Sequence, residues 1–489
     1  MKIAVEGCCH GELDAIYTHI AQLEAQNNYK VSLLIICGDF QAIRNKQDLQ
    51  CMAVPDKYKK LGEFYKYYTG EKTAPILTIV IGGNHEASNY FWELYHGGWL
   101  APNMYFLGHA GCVQVNGIRI AGASGIFQDY DFRKGHFERV PYDRGTMRSI
   151  YHVREYNILR LSLLSSPNIF LSHDWPQSIE HHGDLRGLLR HKPFFRNDIN
   201  KGALGSPPMM GLLRNLKPQW WFAAHLHTRF EAKVIHEPDN LIQEASKMVH
   251  ENPDEIRIDD IDADESASAV PPQAEASGNA AVLPANPDEI KLDDEEEEVV
   301  APLPPPSKPR ETRFLALDKC LPRRRFLEVV DVPEPPNFVA STSSRSSSLE
   351  ESGAPKPVLT FDPEWLAITR AFNPYMSLDT KQMAYPDEAE ARAAVQRELE
   401  WVRSNVYNIP AGTSGDTPLI KTIDSCQHFA VTAPPPEQCT GPDNMQRKDI
   451  YFCSLDAYSM LISLAPHFPN PQTAAFCQLL GIENKIDPR

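Results

Sequence analysis

No apolar run in this 489-residue chain approaches the roughly 20 residues that a membrane helix needs, so no spanning segment is expected. The N-terminus lacks the character of a signal peptide, because Glu6 follows only Ile3, Ala4 and Val5. The ten cysteines lack the spacing of a disulfide framework, which suits a reducing, intracellular setting. The neighbours Cys8 and Cys9 are too close in the chain to make a good disulfide. Aromatic residues are scarce across 237–311, where Ala, Pro, Ser and acids dominate. Such a stretch cannot bury enough surface to offset its ordering entropy, and it is expected to be a disordered acidic insertion. A global charge bias is missing too. The net charge is −16, yet residues 237–300 hold 20 Asp and Glu against 3 Lys and Arg, and the remainder is nearly neutral. A polyanionic substrate elsewhere on the chain is therefore not excluded.

The length predicts two domains plus linkers. Residues 1–236 alternate strand-like runs with helical patterning; Leu13, Ile16, Tyr17, Ile20 and Leu23 form one apolar helix face. The runs at 230–235, 314–317 and 326–330 read as three strands of one sheet. Inside the insertion, Asn252–Asp260 recurs as Asn286–Asp294. This repeat is either a docking peptide for a protein partner or a solvated tail with chance similarity. Residues 334–355 are Ser- and Pro-rich and read as a linker. Beyond it, 356–489 shows helical patterning at 363–372, 388–406 and 451–464 and no catalytic motif.

Five stations carry groups that bind divalent metals: Cys8-Cys9-His10-Gly11, Gly38-Asp39, Gly83-Asn84-His85-Glu86, Ser172-His173 and Ala224-His225-Leu226-His227. Nearly all follow short apolar runs of the kind that form buried strands. Ligands of open α/β sheets collect beyond the carboxyl ends of strands, so these side chains can converge. Taken singly, each has a plainer reading: His173 as a structural histidine, Cys8 as a small buried apolar residue.

The order D-x-H, G-D, G-N-H-[DE], H, H-x-H marks calcineurin-like metallophosphoesterases, and this sequence resembles them with Cys8 in place of the first Asp. Cys8, together with Ser172–Pro176, Gly82–Ala87 and Leu315–Pro322, makes it similar to the RNA lariat debranching enzyme family. The resemblance implies an α/β fold, a metallophosphoesterase-type β-sandwich flanked by helices, over 1–236 and 312–332. A smaller, mostly helical accessory domain would follow at 356–489. It implies one metal position from Cys8, His10, Asp39 and His227, and a second from Asp39, Asn84, His173 and His225. The cofactors would be one or two divalent ions, Fe(II), Zn or Mn, with Cys8 favouring thiophilic ions. Two ions roughly 3.5–4 Å apart can clamp a phosphodiester and lower the pKa of a shared water. His85 takes the role of acid toward the leaving 2′-oxygen. The implied reaction is hydrolysis of the 2′,5′ bond of a branched intron lariat. A general metallophosphoesterase and a non-catalytic scaffold of the same fold are the competing readings.

Residues 128–157 interleave rings and bases, including Tyr130, Phe132, Arg133, Lys134, His136, Phe137, Arg139 and Tyr142. Rings stack unpaired bases while guanidinium groups hold phosphates. The resemblance places a lariat recognition loop here; a surface loop packed on its own aromatics is the alternative. The stretch 57–68 is a second such surface, its helical spacing putting some rings in the core. Pro322-Arg323-Arg324-Arg325 is short for an import signal and either faces RNA or caps a strand. A nuclear location follows from the implied substrate, with no membrane involved.

Overall fold

The computed structural model describes residues 1–237, 310–335, 356–409, 420–438 and 467–487. Its strands are β1 (Lys2–Glu6), β2 (Leu33–Ile36), β3 (Leu77–Val80), β4 (Gly98–Ala101), β5 (Met104–Phe106), β6 (Ala110–Val115) and β7 (Ile118–Ala123). They continue with β8 (Ile169–Ser172), β9 (Trp220–Ala223), β10 (Phe230–Ile235), β11 (Glu311–Ala316), β12 (Leu327–Asp331) and β13 (Leu359–Phe361). The apolar runs β1, β2 and β3 pair in parallel, with Ile3 opposite Leu33 and Leu33 opposite Leu77. They sit inside a six-stranded sheet of order β12-β1-β2-β3-β5-β4. A seven-stranded sheet of order β10-β11-β9-β8-β7-β6-β13 faces it, with β7, β8 and β9 parallel.

Strand alternation explains the layering. Ile3, Val5, Leu33, Ile35, Leu77 and Ile79 point into the core shared with Ile169, Phe170, Leu171, Trp221 and Phe222. Their neighbours Ala4, Leu34, Ile36 and Val80 face the other way, against Leu13, Ile16, Tyr17 and Ile20 of the helix Leu13–Asn27. Each fully buried aliphatic side chain contributes about 1.5–3 kcal/mol through burial. That helix ends where Asn28 takes a left-handed conformation, which Asn tolerates better than most residues.

Two expectations need correction. Strand β12 does not join β10 and β11; it lies antiparallel on β1, Lys2 opposite Asp331, while β10 and β11 pair in the other sheet. Its apolar pattern marks it as a strand but does not encode which sheet edge it completes. The acidic insertion starts after a strand as expected, but β11 already begins at Glu311; residues 238–309, with both acidic repeats, lie outside the described residues. The C-terminal region carries its helices as expected, and its short strand β13 extends the seven-stranded sheet, Leu359 opposite Val115. Its helices Pro363–Phe372 and Glu388–Asn405 form where expected, capped by the side chains of Asp362 and Asp387 on the backbone N–H groups of Trp365 and Glu390. The patterning at 451–464 and residues 336–355 of the linker fall outside the described residues. No described helix is long and apolar enough to cross a membrane.

Candidate metal centre

The stations follow β1, β2, β3, β8 and β9, and the ends of these strands bring them together. One donor atom each from Cys8, His10, Asp39 and His227 lie within 4.8 Å of one another. His10 Nε2 and His227 Nε2 face each other at 3.4 Å. Burial, joined by the neighbouring His10, drives the His227 imidazole down to about 3, so it is a neutral lone-pair donor. Burial, then Asp39 and Glu6, push the Cys8 thiol well up; a cation is what would take the place of its proton. The Cys8 sulfur accepts the backbone N–H of His225 at 3.2 Å, which ties the first station to the last.

Asp39 is at the centre. It is buried, with Oδ1 3.4 Å from His173 Nε2 and Oδ2 3.6 Å from His10 Nε2. Burial alone would raise its pKa, but His173, His85 and His10 outweigh it and hold the carboxylate well below its usual range. His173 Nδ1 donates to the Cys37 carbonyl at 2.7 Å. A carbonyl only accepts, so the proton is on Nδ1 and the Nε2 lone pair points at the centre, the arrangement of a metal-binding histidine. Burial first, with His225 helping against Asp39, brings His173 down to about 4. His173 Nε2 and Asn84 Oδ1 are buried and have no hydrogen-bond partner. Orphaned polar atoms of this kind are costly unless something fills the gap. The rings of His173 and His225 lie 5.0 Å apart. This set of imidazoles, a carboxylate, an amide oxygen and a thiol, with the orphaned His173 and Asn84 atoms facing inward, fits divalent metal ions.

Glycine makes the packing possible. A Cβ on Gly83 would sit 2.3 Å from Asp39 Oδ1, and one on Gly38, at φ +108°, 2.3 Å from His173 Nδ1. His85, a third exposed, places Nδ1 3.4 Å from Asp39 Oδ2. Its hydrogen bond to Asp39 raises its pKa against the effect of burial.

Two residues that the sequence reading left without a role stand beside this cluster. Glu86 accepts the backbone N–H groups of Phe40 at 2.8 Å, Gly83 at 2.9 Å and Gln41 at 2.7 Å. It thereby clasps the Asp39 loop to the Asn84 loop. Burial and Asp39 push its carboxyl up to about 8 despite these amides. Lys319 forms a β-bridge with Cys8, and its charge helps to lower the pKa of both His10 and His227. The motif around Lys319 was visible in the sequence, but nothing in it indicated this proximity.

The 128–157 loop divides. Tyr130 is 60% exposed, and Arg133 is exposed. Lys134 pairs with Asp131 and lies 5.4 Å from the Tyr130 ring and 5.8 Å from that of Phe137. Phe132 packs against Phe127, and half-buried Tyr142 packs on the main core. Arg139 is exposed but donates to the carbonyls of His136, Glu138 and Leu378. His136 is a correction: it is buried among Trp92, Tyr95 and His109, with Nε2 3.2 Å from the Tyr95 hydroxyl, and offers nothing to RNA. Arg154, in the same run, is buried on Glu138. The loop leans on the C-terminal region, where the N–H groups of Gly135 and His136 donate to the carbonyls of Thr380 and Ser377. In the other surface, Tyr58 is exposed while Phe64, Tyr67 and Tyr68 are core, as their spacing suggested.

Residues 1–229 match the calcineurin-like phosphoesterase family model, and residues 309–485 match that of the lariat debranching enzyme C-terminal domain. The chain is 40% identical to lariat debranching enzyme A of Xenopus laevis, covering 99% of this chain and 70% of that protein. The chain belongs to the lariat debranching enzyme family. Debranching relatives from Drosophila melanogaster, at 43% identity, and Schizosaccharomyces pombe, at 38%, also align over 99% of this chain, covering 78% and 96% of their own lengths. Membership in this family joins the two matched regions in one protein, and here they also share a sheet through β13.

Proposed function

We infer that this protein is a metal-dependent phosphodiesterase that hydrolyses the 2′,5′ bond at the branch of RNA lariats. The meeting of Cys8, His10, Asp39 and His227 within bonding reach of one centre, in a chain of this family, carries the reading. Cys8, His10, Asp39 and His227 would hold one ion, and Asp39, Asn84, His173 and His225 a second. The thiol and imidazoles favour Fe(II), Zn or Mn over harder cations. When bound, these ions supply Lewis-acid polarisation of the phosphodiester and a nucleophile active near neutral pH.

The chain's own groups do the rest. Asp39 holds His85 through Nδ1, which leaves Nε2 on the open side to give a proton to the departing 2′-oxygen. Glu86 holds the two loops that present Asp39 and Asn84. Tyr130 and Arg133 offer a ring face and a guanidinium to the bases and phosphates around the branch. The products are a strand with a 5′-phosphate and one with a restored 2′-hydroxyl. Intron turnover places the enzyme in the nucleus, and the repeated acidic motif of the insertion is its docking segment for a protein partner.

The test strips the protein of metal and restores Mn, Fe(II) or Zn singly. It then offers a 2′,5′-branched RNA beside its linear 3′,5′ counterpart. Restored cleavage of the branched RNA alone is the expected outcome. Equal cleavage of both, or cleavage by the stripped protein, overturns the reading.

A further inference from the structure

A groove of about 1010 Å³ opens beside the metal centre, between the helix Leu185–His191, strands β10 and β11, and the turn before β12. Thr228, next to the donor His227, lines it, as does Asp318, next to Lys319. Basic residues dominate its walls, among them Arg190, Lys192, Arg323, Arg324 and Arg325. The acids are largely spoken for: Glu231 and Glu328 bind Arg229, and Asp318 binds Arg324 at 3.3 Å. Among the described residues, Lys192, Arg323 and Arg325 have no carboxylate within ion-pair distance, and both arginines are exposed. Burial lowers the pKa of Lys192; Asp318 opposes it, and Arg324 and Lys319 add to the lowering. Phe194, 67% exposed, lies 5.8 Å from that ammonium.

Cations outside any ion pair, beside an exposed ring, form the surface that single-stranded RNA takes: phosphates on the charges, a base on the ring. We propose that this groove binds the single-stranded arm of the branched substrate as it leaves the centre, with Lys192, Arg323 and Arg325 on successive phosphates and Phe194 under a base. The proposal rests on the debranching reading and adds a second RNA surface, apart from the 128–157 loop. It gives the Arg323–Arg325 run a role in the enzyme's own substrate affinity.

The test compares the wild type with the triple variant Lys192→Gln, Arg323→Gln, Arg325→Gln. Two metal-loaded assays use the same branch, one with arms of one nucleotide and one with arms of about twenty. Three lost phosphate contacts should lower the salt slope of binding by about 2, a rise in KM of roughly ten- to fifty-fold near 0.15 M salt. That rise is expected for long arms only, with kcat unchanged and the short branch cut as by the wild type. A variant carrying Lys or Arg of the opposite kind at the three positions should recover most of the affinity. Unchanged KM and salt slope on long arms overturn the groove, and so does equal loss on both substrates. Wild-type protein that cuts neither branched RNA sinks the debranching reading instead, a separate result.

Discussion

Glu86 tests whether the two ligand loops are held by one clasp. Its carboxylate accepts three backbone N–H groups, two flanking Asp39 on its C-terminal side and one preceding Asn84. Against the wild type above about pH 8, where Glu86 is ionised, Glu86→Gln keeps the shape, but an amide NH₂ must face one of these N–H groups. A buried donor left without an acceptor costs about 1–3 kcal/mol. Glu86→Ala strands all three and should cost about 3 kcal/mol or more on the same basis. The loss also frees the Asp39 loop from the Asn84 loop, and an ångström of misplacement in a catalytic site is worth about a hundredfold in rate. Urea denaturation measures the first effect; bound metal and turnover of a branched RNA measure the second. The expected order is wild type, then Gln, then Ala, in midpoint and in turnover alike. A Glu86→Gln protein with the wild-type midpoint and wild-type turnover refutes the clasp.

His85→Ala should keep its metal content but lose about 10²–10⁴-fold in kcat, the usual contribution of a positioned acid; near-normal turnover would remove that role. Cys8→Asp exchanges a soft donor for a hard one, so the ranking of restored activity should move from Zn toward Mn, and an unchanged ranking would detach Cys8 from the ion. The 128–157 loop should loosen in acid. Burial lowers the pKa of His152, which is hydrogen-bonded to Asp131 at 2.7 Å, and Lys134, His152 and Arg154 hold Asp131 low against the effect of its burial. Both pKa values are depressed by folding, so their support is complete above the ordinary values. It weakens as pH falls below about 6.5 for His152 and below about 4 for Asp131. The protection factors of amide hydrogens across 128–154, corrected for intrinsic exchange, should therefore fall between pH 7 and pH 5, and constant protection would contradict the assignment.

The convergence of the candidate donors was legible because their chemistry is carried by side-chain identity at the ends of recognisable apolar runs. The role of Glu86 was not, since its partners are backbone amides that every residue possesses. The loop shows the same limit from the other direction. His136 and Tyr130 read alike in an aromatic and basic stretch, yet one packs under Trp92 and the other faces solvent. Orientation there is set by the contacts of Gly135 and His136 with Ser377 and Thr380, more than two hundred residues away. Strand β12 was legible as a strand and illegible as a neighbour of β1, for periodicity carries no information about pairing across 325 residues of separation.

The backbone of the centre carries its own argument. His10, Asp39, His225 and His227 all have φ between +46° and +60°, a region that costs a non-glycine residue roughly 1–2 kcal/mol. Four of the seven candidate donors in that region is not what strand ends require; it is what turning each side chain back over the strand ends into one crevice requires. The turns are held by bonds to one another and to the sheets: the His10 N–H donates to the Asp39 carbonyl at 2.6 Å, and the Trp175 indole donates to the carbonyl of Ala224 at 2.8 Å. Candidate donors fixed in this way would lose little conformational entropy on taking an ion. The cost falls on the fold, which tolerates such violations of local preference where function needs them.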